Sequence, residues 1–249
     1  RISPFIGPAP QACPMADTIL VPLELPDPEP LSPVLIEDLS SLDVVVLGHY
    51  DLPEQTPASS AREQFGDAAQ ATLDDVAASF ADAGASVRTR LVFGKDRAAA
   101  IRQVAVEEDC AAELDPAPTE GIERILVPIP DVAGFDRLPT FIRVLSEDST
   151  QRITLFHVVE GEETRERGEA VVSETRERLV EDGFDPDAVD TLVVEGDEHD
   201  EEILRVAADY DAVVMYEPES SLGDRVFGTL ADRIADETGD PVIVVNRDY

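Results

Sequence analysis

Apolar positions near the end of the chain follow two different periods. The runs at 212–215 and 242–245 are apolar at every position, which is typical of strands covered on both faces of a parallel sheet. Between the two runs, apolar residues recur at the helical spacing, at Val226, Phe227, Leu230, Ala231, Ile234 and Ala235. The segment therefore predicts strand, loop, helix and strand. Its loop leaves the carboxyl end of a strand, where open α/β sheets usually bind ligands.

The rest of the chain alternates in the same way. The pattern predicts strands in the first half at 19–23, 43–48, 86–93 and 110–114, and helices near 33–41, 60–83 and 97–108. It predicts strands in the second half at 124–129, 152–159, 190–195, 211–216 and 242–245, with helices near 135–146, 162–182 and 198–209 and one before the last strand. Such alternation indicates parallel sheets with right-handed crossovers.

Two pairs of similar segments indicate that the chain contains an internal repeat. The sequence Ile-Leu-Val-Pro at 19–22 returns at 125–128, and the segment 92–105 aligns with 194–207. The first copy lacks the final helix and strand of the second. We therefore predict an α/β fold of two tandem doubly wound, Rossmann-type parallel-sheet domains, the first truncated at its C-terminal helix and strand. The predicted boundaries are a disordered extension over 1–16, a first domain over 17–114, a linker over 115–121 and a second domain over 122–249.

Composition narrows the classes of partner. The chain has 54 acidic and 19 basic residues, a formal charge of −35, and the acids are spread through predicted helices and loops. This distribution indicates a whole-surface adaptation to concentrated salt, which screens self-repulsion. A polyanion mimic or an acidic interaction tail is the alternative. No basic patch is present, so nucleic acid is excluded as a partner.

The cysteines and the apolar runs bear on location. Cys13 and Cys110 do not form a disulfide framework, and Cys110 opens an apolar run in which we expect it to be buried and inert. No apolar run approaches the length that spans a bilayer. We expect a cytoplasmic protein without membrane insertion.

At this point the residues suggest a family. The Ile-Leu-Val-Pro starts, and the pair Gly228–Thr229 followed by a helix and the Pro-Val-Ile-Val-Val run at 241–245, resemble the universal stress protein family. The likeness covers 122–247 clearly and 17–114 in degenerate form. It implies a tandem two-domain member with the fold of the adenine-nucleotide alpha hydrolases, and the acidic surface suggests a halophilic archaeon.

The resemblance also implies where a nucleotide would bind. ATP-binding members carry glycine, two residues, glycine, nine residues, glycine, then serine or threonine, because glycines let the backbone approach phosphates. Gly228 and Thr229 match the last two positions, but the earlier glycine positions fall on Pro218 and Met215. Glu217 and Glu219 place carboxylates beside the phosphate position. The resemblance therefore implies a decayed nucleotide site.

Some family features are retained in altered form. The acid after the first strand is displaced to Asp131, with Glu24 as its loose counterpart in the first copy, and Gly223 would allow a rearranged loop. No cofactor is expected. ATP or AMP is the alternative, held by Asp131, Gly223, Gly228 and Thr229.

Other candidate chemistry is sparse. His49, His157 and His199 show no metal-ligand spacing, and His157 fits a structural role at a strand end. The sequence contains no nucleophile elbow and no Walker pattern. We therefore expect no enzyme, or at most a weak ATPase, and no metal.

The prediction for function is a non-catalytic, stress-associated regulatory or interaction module with an unknown protein partner. The alternatives are an ATP- or AMP-binding sensor or slow ATPase that uses the 217–229 loop, and a soluble regulatory partner of a membrane transporter. Because the first domain lacks its fifth strand, we also predict a homodimer that pairs through the C-terminal edge strand 242–245.

Overall fold

The computed structural model describes residues 18–53, 56–117, 119, 121–130, 137–146, 152–161, 163–216 and 229–246. Its strands are β1 Thr18–Leu25, β2 Asp43–Asp51, β3 Ser86–Gly94, β4 Ala112–Asp115, β5 Arg124–Pro128, β6 Arg152–Val159, β7 Val189–Glu195, β8 Ala212–Tyr216 and β9 Val242–Val245. Its α-helices are α1 Pro33–Asp38, α2 Ala58–Ala83, α3 Arg97–Glu107, α4 Leu138–Ser146, α5 Arg165–Glu181, α6 His199–Ala207 and α7 Thr229–Thr238. A 3-10 turn, Leu39–Ser41, follows α1.

The nine strands form one sheet, in the order β3-β2-β1-β4-β9-β8-β5-β6-β7. The strands within each repeat are parallel. In the first repeat β2 pairs with β1 and β3, and in the second β6 pairs with β5 and β7. Among the strands of the described residues, one pair is antiparallel, β4 with β9, at the junction of the repeats. The predicted α/β fold class of two doubly wound repeats is confirmed, and the strands of both repeats join in one parallel-dominated sheet where a parallel sheet in each domain was predicted.

The sheet is covered on both faces, as the unbroken apolar strands predict. Ile19 and Val21 of β1 point into a core that contains residues of α1, α2, α4 and α5 from both repeats. Leu20, between them, packs with Ile101 and Val104 of α3 on the other face. In the second repeat, α6 and α7 cover that same face. The alternating strand residues thus fill two layers of helix.

Local sequence signals set several helix ends. The Ser32 hydroxyl accepts from Leu35 N at 3.1 Å, and Pro33 follows it at the first helical position. Asp96 caps α3 by accepting from Ala99 N at 2.9 Å. Gly84 ends α2 with φ of +108°, a left-handed conformation that glycine adopts without strain. Both α1 and α3 thus begin at capped positions, shortly after the carboxyl ends of β1 and β3.

The truncation of the first repeat is present as predicted. After β4 the chain passes to β5 through 116–123, and the described part of that connection contains no helix or strand. The strand β4 extends to Asp115, one residue into the segment predicted as a linker. The first repeat therefore ends on its fourth strand.

The prediction that 242–245 is an edge strand is wrong. β9 lies inside the sheet, parallel to β8 on one side and antiparallel to β4 on the other. The physical reason is that the missing fifth strand leaves the edge of β4 unpaired, and β9 satisfies its backbone groups. No free edge remains at β9 for a second chain.

Candidate functional site

A cavity of about 850 Å³ opens at the carboxyl ends of β1 and β4. One wall is formed by the end of β1 and the loop after it, and the opposite wall by α7. Arg97, the first residue of α3, and the segment Asp115–Ala117 complete it. The cavity therefore lies where open α/β sheets bind ligands, and both repeats contribute to it.

The lining of this cavity is strongly acidic. Its carboxylates come from β1 and the following loop, from β4 and from α7: Glu24, Asp27, Glu29, Asp115, Asp232 and Asp236. Arg97 is the cation that lines it, and its buried Nε has no hydrogen-bond partner in the described part of the chain. The apolar contribution comes from residues such as Leu23, Leu25 and Ala235. Such a surface attracts cationic groups and repels anionic ones.

Two of these carboxyl groups, those of Asp115 and Asp232, lie close enough to share a hydrogen bond. Asp115, at the end of β4, is half-buried, and Asp232, in the first turn of α7, is exposed. Burial, together with the adjacent charge of Asp232, raises the pKa of Asp115 to about 7, although the Arg97 charge opposes the shift. Although Asp232 is exposed as a whole residue, partial desolvation of its carboxyl group also raises its pKa, and the hydrogen bond with Asp115 opposes this shift. A proton on Asp115 that is donated to Asp232 explains why the hydrogen bond raises the pKa of Asp115 and lowers the pKa of Asp232.

A buried histidine lies on the next strand. His49 of β2 is the register partner of Glu24 and is only 2% exposed. Its Nε2 has no hydrogen-bond partner among the described residues and lies 3.6 Å from the position that a Cβ on Gly94 would take. Burial lowers the pKa of His49, against the charge of Asp51, so the imidazole is neutral at neutral pH. A neutral ring next to the acidic cavity adds no positive charge to it.

In the second repeat, the predicted nucleotide residues lie largely outside the described residues. Asp131, Gly223 and Gly228 belong to that part of the chain. Thr229 is the first described residue of α7. The predicted grouping of these four residues stays a prediction.

His157 has the structural surroundings that its sequence position predicts. Its Nδ1 lies 2.6 Å from the carbonyl oxygen of Ile129, and its Nε2 lies 3.1 Å from Oε2 of Glu163. The ring is 4% exposed and packs against Gly168 of α5, where a Cβ would lie 2.9 Å from His157 Cδ2. Both ring nitrogens are therefore engaged in holding the end of β6. Within the described residues, no group of three or more His, Cys, Asp or Glu side chains is arranged to hold a metal ion.

Sequence reasoning identified Glu24 but missed the carboxyl pair. Asp115 was assigned to the linker, and Asp232 is one of several acids on a polar helix face. Only the pairing of β4 with β9 brings α7 over the end of β4. No spacing in the sequence indicates that contact.

Comparison with known proteins supports the fold. No protein-family model matches the sequence, and no curated protein matches it. A universal stress protein from Archaeoglobus fulgidus DSM 4304 superposes with a TM-score of 0.62 at 14% identity, covering 93% of this chain and 96% of that one. A protein of Pseudomonas aeruginosa UCBPP-PA14 assigned to the same family gives 0.52 at 16% identity, covering 94% of each chain.

A functionally unknown protein from Pseudomonas aeruginosa PAO1 also gives a TM-score of 0.52, at 17% identity, covering 94% of this chain and 93% of that one. The chain is thus a two-repeat α/β protein of the doubly wound class. Its fold is that of the universal stress proteins. Among the helices of the described ranges, none is both long and apolar enough to cross a membrane.

Proposed function

We propose that this chain is a universal stress protein that acts as a non-catalytic regulatory or interaction module with degenerate nucleotide sites. The fold shared with the Archaeoglobus protein supports the family. The acidic lining of the cavity at the ends of β1 and β4 is the observation that supports a degenerate first site, since a phosphate there would meet Glu24, Asp115 and Asp232.

The electrostatics of that cavity oppose a nucleotide. Two like charges about 4 Å apart repel by about 1 kcal/mol in water, and by more where water is partly excluded. ATP carries several negative charges, and six carboxyl side chains line the cavity against the single guanidinium of Arg97. One guanidinium does not balance that repulsion. We therefore expect the first repeat to bind no nucleotide triphosphate.

The first repeat also lacks the element that would present backbone N–H groups to phosphates. β4 ends at Asp115 and β5 begins at Arg124, and the described part of 116–123 forms no helix whose N-terminus faces the cavity. A helix N-terminus and a glycine-rich turn are the usual anion-binding device of such folds. The helix that the family pattern places after the fourth strand is therefore absent from the described part of the first repeat.

A second candidate, an ATP- or AMP-binding sensor in the second repeat, is favoured by one observation. The described part of α7 starts at Thr229, and in the family pattern a glycine followed by serine or threonine precedes a helix whose N–H groups favour phosphate. Asp131 and Gly223 would complete such a site. The same loop also contains residues that oppose such a site. Glu217 and Glu219 would repel phosphates, and Pro218 occupies a position that is glycine in the family pattern.

Calorimetry with ATP and AMP in concentrated KCl separates the two functions. We expect no heat of binding from the protein, with folding verified by circular dichroism. Binding that is abolished by Gly228→Glu would establish the sensor and place phosphate on the second repeat. Binding that is abolished by Arg97→Glu and kept by Gly228→Glu would instead place it in the first repeat and overturn the degenerate-site proposal.

The proposed setting is the cytoplasm of a salt-adapted cell, where the module binds a protein partner. The formal charge of −35 supports salt adaptation, and Cys110, a buried free thiol, fits a reducing compartment. Salt screens the self-repulsion of such a surface. A melting temperature that does not rise between dilute and concentrated KCl would contradict the adaptation.

A further inference from the structure

The contact between Asp115 and Asp232 joins the two repeats. Asp115 is the last residue of β4, and Asp232 lies on α7 of the second repeat. Their side chains are hydrogen bonded and line the same cavity. An ionised carboxylate only accepts hydrogen bonds, so two of them cannot bond to each other. The contact therefore requires one proton, held between the two halves of the chain.

The surroundings favour keeping that proton. The charged groups around the pair are Asp236 on α7, Glu24 on β1, Asp27 and Glu29 on the loop after β1, and Arg97 on α3. Opposite Asp115 in the sheet, β9 presents Val242, which has no charge. Among the described residues, the charge of Arg97 favours ionisation of Asp115, and the charges of Asp232 and Asp236 oppose it. If the proton leaves, two adjacent negative charges remain in an already acidic cavity.

We propose that Asp115 and Asp232 form a proton-operated latch between the two repeats, which joins β4 to α7 when one proton is shared and separates them when both carboxyls are ionised. The latch lies at the contact between β4 and α7, which we call the seam. It does not depend on whether the second repeat binds a nucleotide. Opening of the latch loosens α7, the helix that covers β4 and β9 on one face of the sheet.

The direction of its pH dependence follows from linkage. The pKa of Asp115 is raised to about 7 from an ordinary value of 3.8, so the folded protein holds this proton more tightly than the unfolded chain. The stabilisation by the latch is fully present below the ordinary pKa and is lost as the pH rises through about 7. Acid closes the latch, and alkali opens it.

Hydrogen exchange of the full chain tests the latch. We expect backbone protection in 112–115 and 229–238, corrected for intrinsic rates, to fall by about tenfold or more between about pH 5 and pH 8.5, while 152–159 changes by less than about twofold. Asp115→Asn supplies a permanent donor to Asp232, so it should remove the pH dependence at the seam. Asp67→Asn, at an exposed position on α2, loses the same charge and should behave as the unaltered protein.

Two results would overturn the latch. One is a loss of protection that is spread evenly over both repeats, which would indicate general repulsion in an acidic protein. The other is an unchanged pH dependence in Asp115→Asn. Asp232→Asn is the second variant if the first does not fold, and carboxyl carbon NMR gives an independent readout. A carboxyl that titrates near pH 7 and disappears in the variant supports the latch, and titration of every Asp below about pH 5 refutes it.

Discussion

Leu114 of β4 and Ile243 of β9 are register partners across the one antiparallel step of the sheet. The two residues belong to different repeats and are 0% and 1% exposed. They lie in a single apolar core that includes residues of both halves. Burial on this scale means that the halves are stabilised together, and we expect them to unfold together.

Truncation of Ile243 should therefore destabilise the whole chain. Ile243→Ala removes buried methyl and methylene groups and leaves a cavity, at an expected cost of about 2–5 kcal/mol in the free energy of unfolding. Urea denaturation followed by circular dichroism, in concentrated KCl, should show one transition at a lower midpoint. Val106→Ala is the matched control, because Val106 is 83% exposed and its loss should change the free energy by less than about 0.5 kcal/mol. Two separate transitions, of which only one moves, would show that the halves are independent.

Removal of the first repeat should uncover β9. We expect a fragment of residues 122–249 to dimerise through that strand, since an unpaired edge accepts another strand. Asn246 N donates to Ala111 O of the first repeat at 2.8 Å, so the N–H of Val244, two residues earlier, faces the same side. Val244→Pro removes that donor and should weaken the fragment dimer. Light scattering measures the mass of the fragment and of its Val244→Pro variant. A folded fragment that stays monomeric would contradict the expectation.

Two helical glycines should respond to alanine in opposite directions. A Cβ on Gly168 of α5 would lie 2.7 Å from Val159 Cγ2 and 2.9 Å from His157 Cδ2, whereas a Cβ on Gly66 of α2 meets only Arg62 Cγ at 3.6 Å. We expect Gly168→Ala to destabilise by about 1–3 kcal/mol through overpacking. Gly66→Ala should stabilise by up to about 1 kcal/mol through helix propensity. Equal effects in thermal melts would mean that α5 does not approach β6 closely.

The thiol of Cys110 should be inert in the folded protein. It is 6% exposed, and burial, followed by the charge of Glu108, raises its pKa to about 12. In a Cys13→Ser background, we expect alkylation by iodoacetamide at about pH 8 to track the unfolded fraction, because the thiolate is the reactive form. The thiol should also lower stability only as the pH rises from about 9 towards about 12. Rapid labelling without unfolding would place Cys110 at the surface.

The sequence predicted individual elements well because each depends on short-range periodicity. The strand predicted at 152–159 is observed with the same ends, and the helix predicted at 60–83 is observed as Ala58–Ala83, with Gly84 as its stop. Predicted helix starts in the second half were early, since α4 begins at Leu138 and α5 at Arg165, after the cap Thr164. Capping chemistry, more than periodicity, decides where a helix begins.

The neighbours of each element were harder to predict. Periodicity shows that Val242–Val245 is buried on both faces, but it does not show which strand lies beside it. The sequence therefore indicated a missing partner for β4 and a spare edge on β9 without joining the two. The pair Asp115–Asp232 was missed for the same reason, because its contact exists only after that pairing has formed. Local sequence patterns therefore do not determine which distant strands pair.

The pairing of β9 with both β8 and β4 also affects folding of the chain during its synthesis. Domains made first on the ribosome usually fold first. Here the first repeat emerges with the edge of β4 open, and residues 116–241 must follow before β9 arrives to close it. Until then, the nascent chain exposes an unpaired strand of the kind that chaperones and neighbouring chains bind. The earliest half to be translated is thus the last to be completed.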